Sequence, residues 1–231
     1  MDGLPGREDA LTPVARRAAF LDVDGTLIRI TSLFRFLAFD LRLSGAPPSR
    51  YEELLAEVRS LKAAGAPRER TNRAFYRVFA GRPAEELAQR GELWFREEES
   101  LPGLFNLRVL ERLEEHRAAG AAIVAVSGSF PPCLAPIARR IGADAVICTR
   151  PEVRDGRYSG EVPVPMIGDQ KARAVHRFAS VHGLDLAECH AYGDDESDAP
   201  LLAAVGHPCA VGDRPALLRL AAARGWPVLD G

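Results

Sequence analysis

Four short clusters along this 231-residue chain carry side chains that could do chemistry. The first is Asp22-Val23-Asp24-Gly25-Thr26-Leu27. Two carboxylates two apart at a strand end share a face, where one can stay ionised as a nucleophile while the other shuttles a proton. The second is Ser127-Gly128-Ser129, followed by Phe130-Pro131-Pro132 and a helical pattern. A hydroxyl and free backbone N–H groups at a helix start suit a phosphate oxygen. The third is Lys171, just after Gly168-Asp169-Gln170 and opening a helix. A cation there opposes the helix dipole, so local stability does not explain it, whereas neutralising an anion would. It is one of only two lysines, beside 28 arginines. The fourth is Gly193-Asp194-Asp195-Glu196-Ser197-Asp198, with four acids within five residues. Such acids repel one another unless a cation is present, and hard oxygen ligands in a loop favour Mg²⁺. Asp194 and Asp198 are four apart and share a face if a helix starts early. Taken singly, each cluster also reads as something ordinary: an acidic turn, a Ser/Pro helix start, a surface lysine, a solvated acidic loop.

The elements that must position these clusters follow from the apolar pattern. Ala18 to Val23 is a short apolar run closed by turn residues, as a buried parallel strand is. Similar runs are Ala122 to Val126, Ala143 to Cys148, Cys189 to Tyr192 and Pro208 to Val211, with Trp226 to Leu229 as an edge. Helical patterns at Leu104 to Ala118, Ala172 to His182 and Ala216 to Ala223 lie between them. This alternation predicts an α/β fold, a Rossmann-like doubly wound parallel sheet with helices on both faces. Asp155-Gly156 marks a hairpin that interrupts the rhythm.

Residues 29–100 differ in kind. Leu33, Phe36, Leu37 and Leu41 recur at helical spacing, as do Tyr51, Leu54, Leu55 and Val58. Ala74, Phe75, Val78 and Phe79 form a third set, and Leu87, Leu93 and Trp94 a fourth, with Gly-Ala-Pro or Gly-Arg-Pro breaks between sets. The expected organisation is a disordered tail over 1–16, an α/β core over 17–28 and 101–231, and a helical cap over 29–100. The cap leaves the core at Arg29 and rejoins it near Leu101, giving it two hinges.

Bulk properties exclude other classes. The formal charge of −2 supplies no basic field for nucleic acid or an anionic membrane. No apolar run approaches the ~20 residues of a membrane span, and the N-terminus lacks a hydrophobic signal segment. The four cysteines are widely spaced with no C-x-x-C pair, so reduced thiols in a cytoplasm are expected.

In order and spacing, the four clusters together resemble the motifs of the haloacid dehalogenase superfamily of phosphohydrolases: D-V-D-G-T-L, S-G-S, Lys171 and G-D-D-E-S-D. The helical insertion after the first motif, and the later stretch D-A-P-L-L-A-A-V-G-H-P-C-A-V, are similar to its phosphoserine phosphatase-like branch. The resemblance runs from Arg17 to Leu229 and implies a Mg²⁺-dependent phosphatase acting on a small phosphorylated metabolite. Asp22 would be the nucleophile that becomes an aspartyl-phosphate, and Asp24 the acid and then the base. Ser127 and the Gly128 backbone would hold phosphate oxygens, and Lys171 would neutralise charge around Asp22. The metal would take Asp22, the Asp24 backbone carbonyl and Asp194, with Asp198 orienting a metal-bound water or Lys171. A phosphotransferase that passes the phosphoryl group to another hydroxyl uses the same motifs. A non-catalytic phosphate-binding protein would be expected to lack Asp22, Asp24, Lys171 or Asp194.

Two positions depart from the branch's pattern. Asp195 stands where serine or glycine is more usual, and reads as a solvated acid. Thr31 stands nine residues after Asp22, where phosphoserine phosphatases carry a glutamate for the substrate's amino group. A threonine supplies no ion pair to an ammonium, which argues against phosphoserine. Specificity then falls to the cap, whose first segment offers Arg29, Thr31, Ser32, Phe34 and Arg35, with Arg70, Arg73 and Arg77 further on. An arginine facing the cleft would suit a second anionic group, although a solvated face is the simpler reading for any one of them. The five histidines show no ligand spacing.

Overall fold

The computed structural model describes residues 16–231; the tail expected over 1–16 therefore lies, except for Arg16, outside the described residues. The chain enters through β1 (Ala18–Leu21), whose four residues are all buried. It then leaves the sheet for four helices: α1 (Ser32–Leu43), α2 (Ser49–Ala63), α3 (Arg68–Tyr76) and α4 (Ala84–Ser100). The remainder runs α5 (Leu107–Ala118), β2 (Ala122–Ser127), α6 (Pro131–Ile141) and β3 (Ala145–Cys148). A small hairpin follows, β4 (Val153–Arg154) and β5 (Arg157–Tyr158). Then come α7 (Asp169–His182), β6 (His190–Gly193), α8 (Ala199–Ala203), β7 (His207–Val211), α9 (Pro215–Arg224) and β8 (Val228–Leu229).

The six long-range strands form one parallel sheet in the order β3-β2-β1-β6-β7-β8. Strand alternation sorts its side chains into two layers. Ala19, Leu21, Ile123 and Ala125 face the cluster that holds α5, α6 and the insertion. Ala18, Phe20, Val124 and Val126 face Val175 and Ala179 of α7, Leu201 and Leu202 of α8, and Leu217 and Ala221 of α9. The expected doubly wound α/β sheet is thus present. The chain order reverses at β1, between β2 and β6, and in such sheets the crevice beyond the strand ends at this point takes the ligand.

Three strands are shorter than their apolar runs; β8 starts only at Val228, because Trp226 N–H closes the end of α9 on Ala221. β1 stops at Leu21 because Val23 turns the chain, its carbonyl accepting from both Leu27 and Ile28 N–H. β3 starts only at Ala145 because Ala143 N–H closes the end of α6 on Ala138, and the Asp144 side chain accepts from Ile123 N–H.

The insertion shares the core's apolar cluster. Phe130, just after β2, stacks on Phe79 at 5.1 Å and meets Phe36 and Tyr76 edge-on. Helix α4 lies so close on α6 that a Cβ at Gly91 would sit 1.9 Å from the Pro132 carbonyl oxygen. The hairpin joins the insertion as well: Gly81 N–H donates to Tyr158 O at 2.7 Å, and Ala84 N–H to Gly156 O at 2.9 Å. Among the described residues no helix is long and apolar enough to cross a membrane.

Candidate active site

The tight turn after β1 brings Asp22 to the end of the sheet. Asp22 N–H still donates to Tyr192 O of β6 at 2.9 Å, so the first carboxylate is set by the sheet ladder. Gly25 makes the turn possible. Its φ is +87°, and a Cβ there would lie 2.3 Å from Asp194 Oδ2. The two carboxylates of the first motif are therefore placed by a turn as well as by strand alternation.

Asp22, Asp194, Asp198 and Lys171 meet in one buried group. Lys171, near the start of α7, donates from Nζ to Asp198 Oδ1 at 2.6 Å and to Asp22 Oδ1. It is 3% exposed, so the lysine that stood out against an arginine-rich composition is the cation buried between the acids. Asp194 directly follows β6 and accepts from Thr26 Oγ1 at 3.2 Å. Asp198 ends a 3-10 turn, Glu196–Asp198, which begins two residues after Asp194 and so brings the two acids together. Asp195 and Asp198 close that turn reciprocally: Ser197 N–H donates to Asp195 at 3.0 Å, and Asp195 N–H donates to Asp198 at 3.2 Å.

The electrostatics follow from this crowding. Burial, with the neighbouring Asp198 and Asp194, pushes Asp22 well above the usual carboxylate range against the pull of Lys171. Burial likewise raises Asp194, partly offset by Arg214. Lys171 is drawn down by burial, yet Asp198 and Asp22 outweigh this and hold the ammonium above its ordinary value. Carboxylate oxygens of Asp22, Asp194 and Asp198 lie within 4.8 Å of one another. A buried, all-oxygen, net-negative set of this kind fits a hard divalent cation such as Mg²⁺. The Asp24 side chain stands outside it.

Asp24 is instead bound to the insertion. Ser32 N–H donates to its Oδ1 and Ser32 Oγ to its Oδ2, both at 3.0 Å. Burial raises Asp24 to about 6 in spite of these two bonds. The second motif lies on the adjacent strand, Leu21 of β1 pairing with Ala125 of β2. Ser127 Oγ accepts from Ser129 N–H at 3.0 Å. The Gly128 carbonyl is held from α3 by Tyr76 OH at 2.8 Å and Asn72 Nδ2 at 3.1 Å. Thr31 is exposed just ahead of α1, and its side chain makes no capping bond.

The arginines singled out from the sequence are engaged elsewhere. Arg35 pairs with Glu98 at 2.9 Å, Arg77 with Glu57 at 2.6 Å, and Arg73 donates to the carbonyls of Val162 and Pro163. Arg29 reaches the Gly231 carbonyl at 3.4 Å, and Arg70 is exposed. Among the described residues, two other arginines reach the site. Arg68 pairs with Asp195 at 2.5 Å, and Arg214 with Asp194 at 2.8 Å and with the second oxygen of Asp195. Asp195, expected to be solvated, is 16% exposed and bridged by both. Sequence reasoning missed Arg68, Arg214, Asn72 and Tyr76.

Comparison with known proteins agrees with this geometry. A family model for haloacid dehalogenase-like hydrolases matches residues 19–203. A putative hydrolase of Mycobacterium leprae is 32% identical over 223 residues, covering 92% of this chain and 72% of its own length. The inhibition of morphological differentiation protein of Streptomyces azureus is 45% identical over 119 residues, covering 51% of this chain and 43% of its own length. The chain spans less than half the length of the first curated relatives it matches. Among solved structures, a Bordetella pertussis protein of unknown function superposes with a TM-score of 0.83 at 30% identity, over 94% of this chain and 99% of that one. A substrate-bound phosphoserine phosphatase superposes with a TM-score of 0.66 at 19% identity, over 93% of this chain and 92% of that one, a likeness of fold.

Proposed function

Since the chain belongs to the haloacid dehalogenase-like hydrolases, we propose that it is a Mg²⁺-dependent phosphatase that hydrolyses a small phosphomonoester through an aspartyl-phosphate. The observation that carries this reading is the buried Lys171 ammonium bridging Asp22 and Asp198, with Asp194 beside them and the Ser127-Gly128 loop on the next strand. Phosphoryl transfer needs positioning and charge neutralisation more than covalent chemistry from the protein, and this group of side chains offers both.

An Asp22 carboxylate oxygen attacks phosphorus while the bond to the leaving oxygen breaks. Asp24 gives its proton to that oxygen. Burial supports this role, because a carboxyl raised to about 6 holds a proton closer to neutrality than an exposed one does. Asp24, now ionised, takes a proton from water as that water attacks the phosphoryl group on Asp22. Inorganic phosphate leaves and Asp22 is regenerated. Ser127 Oγ and Gly128 N–H hold phosphate oxygens, and Lys171 pulls Asp22 toward its ionised form against the burial that raises it. Asp22, the Asp24 carbonyl and Asp194, with Asp198 behind them, would hold Mg²⁺, which when bound supplies positive charge to the phosphoryl oxygens. The reading sets the enzyme in the cytoplasm, where its four free cysteines would stay reduced.

The test is phosphate release across a panel of phosphorylated metabolites with Mg²⁺. Turnover should require the metal and vanish in Asp22→Asn. Activity unchanged in excess chelator, or near-normal turnover by that variant, would overturn the reading.

A further inference from the structure

The first helix of the insertion has an unusual N-terminus. The N–H groups of a helix's first turn have no partners within the helix. Thr31, in the capping position, leaves them without a side-chain acceptor. The Asp24 carboxylate fills that place from outside, its Oδ1 accepting Ser32 N–H while its Oδ2 accepts Ser32 Oγ. Ser32 is fully buried, and its Oγ also lies 2.7 Å from Ser129 Oγ in the second motif. A serine hydroxyl has one proton. With that proton given to Asp24, the Ser129 contact must run from Ser129 to Ser32. The hydrogen bonds therefore pass in one direction, from the phosphate loop through the insertion to Asp24.

We propose that Ser32 is a positioning residue for the acid–base step, holding the plane of the Asp24 carboxyl through both oxygens. The proposal rests on the phosphatase reading above. Any residue but proline could supply the backbone N–H at this position. The hydroxyl is what distinguishes serine: it donates to Asp24 Oδ2 in either protonation state, with Ser129 donating to it in turn, and leaves the carboxyl's other lone pairs to carry the proton toward the leaving oxygen. Both protonation states are needed, one for each half of the reaction. The acid is thus complete only while the start of α1 stands against the core.

The experiment compares Ser32→Ala and Ser32→Thr in the full chain with Mg²⁺. The probes are p-nitrophenyl phosphate, whose leaving group needs little protonation, and phenyl phosphate, whose leaving group needs more. The ratio of kcat/KM values for the two probes reads the acid's contribution to the first step. Ser32→Ala should raise that ratio by roughly tenfold or more, with KM changed less than about twofold, since phosphate binding is untouched. Ser32→Thr should restore the ratio. Asp24→Asn, measured alongside, should raise it at least as far as Ser32→Ala does. A ratio unchanged in Ser32→Ala, or a loss that Ser32→Thr does not repair, overturns the assignment even if Asp22→Asn and Asp24→Asn behave as the phosphatase reading requires. Turnover surviving in Asp22→Asn would instead overturn that reading itself.

Discussion

Arg68 of the insertion and Asp195 of the core are paired at 2.5 Å across the mouth of the site. Asp195 is the residue that departs from the branch's usual serine or glycine, and the pair accounts for its charge. Burial would raise its carboxyl, but Ser197 N–H and the Arg68 guanidinium outweigh burial and bring it to about 2. The pair links α3 to the loop that carries Asp194 and Asp198.

A double-mutant cycle of Arg68→Ala and Asp195→Ala, read by urea unfolding at pH 7, should give a coupling of about 0.5–1 kcal/mol, in the range of partly exposed pairs. The folded-state pKa of Asp195 is depressed. The coupling should therefore persist above the ordinary aspartate value and fade as pH drops toward 2. Strictly additive single variants at pH 7 would show that the contact carries no weight.

Lys171→Met removes the buried cation from between Asp22 and Asp198. Leaving buried carboxylates uncompensated typically costs about 3–5 kcal/mol. The variant should lose stability of that order in chelator. Added Mg²⁺ should then raise its Tm more than it raises that of the native chain, because the metal would restore the missing charge. Equal metal-induced shifts in both proteins would contradict a shared charge role for Lys171 and the cation.

At the opposite end of the sheet, His190 stacks between His116 and His207, with ring centroids at 4.2 and 4.6 Å. Burial, together with these two rings and Arg17, brings His190 down to about 4. The folded chain thus resists a proton that the unfolded chain accepts near 6.5, and stability falls as pH drops through that interval. The ring is partly solvated, so the loss is about 1 kcal/mol, roughly 2–4 °C in Tm. His190→Phe keeps a ring without the proton, so its Tm should fall less than the native chain's between pH 7 and pH 5. Identical acid slopes would rule the stack out as the source.

L-Phosphoserine should be a poor substrate beside other phosphomonoesters. Thr31 carries no charge for an ammonium. Glu52 and Glu53 of α2, acids that the cap could offer instead, are already paired with Arg59 and Arg50. A missing charge-assisted bond is worth about 1.5–3 kcal/mol, or roughly ten- to over a hundredfold in kcat/KM. Thr31→Glu should recover part of that factor. Phosphoserine ranking first in a broad panel would end the argument.

What could be read from the sequence was what lies close together in it. Asp22 and Asp24 stand at the end of a visible apolar run, and Asp194 and Asp198 sit in a single acidic loop that follows another such run. Lys171 could be picked out because lysine is nearly absent. Ser32 and Ser129 are 97 residues apart, and Asn72 and Gly128 are 56 apart, so only the packing of the insertion joins them. Arg68 and Arg214 were hidden among 28 arginines, where residue type carries almost no information. The hairpin turn at Asp155-Gly156 was legible from its residues, but its bonding to Gly81 and Ala84 was not, since backbone groups leave no mark in side-chain patterns.

The contact of Gly91 with Pro132 bears on how the mouth of the site can open. Backbone touches backbone there, with no side chain between to act as a cushion. Helix α4 is thereby seated on α6 as a fixed bracket, and the stack of Phe36, Phe79 and Phe130 extends the seat inward. An opening that carried all four helices would have to pull this seat apart. A swing of α2 and α3 alone would leave that bracket in place, but it would have to break Arg68 from Asp195, both Asn72 and Tyr76 from Gly128, and Tyr76 from Phe130.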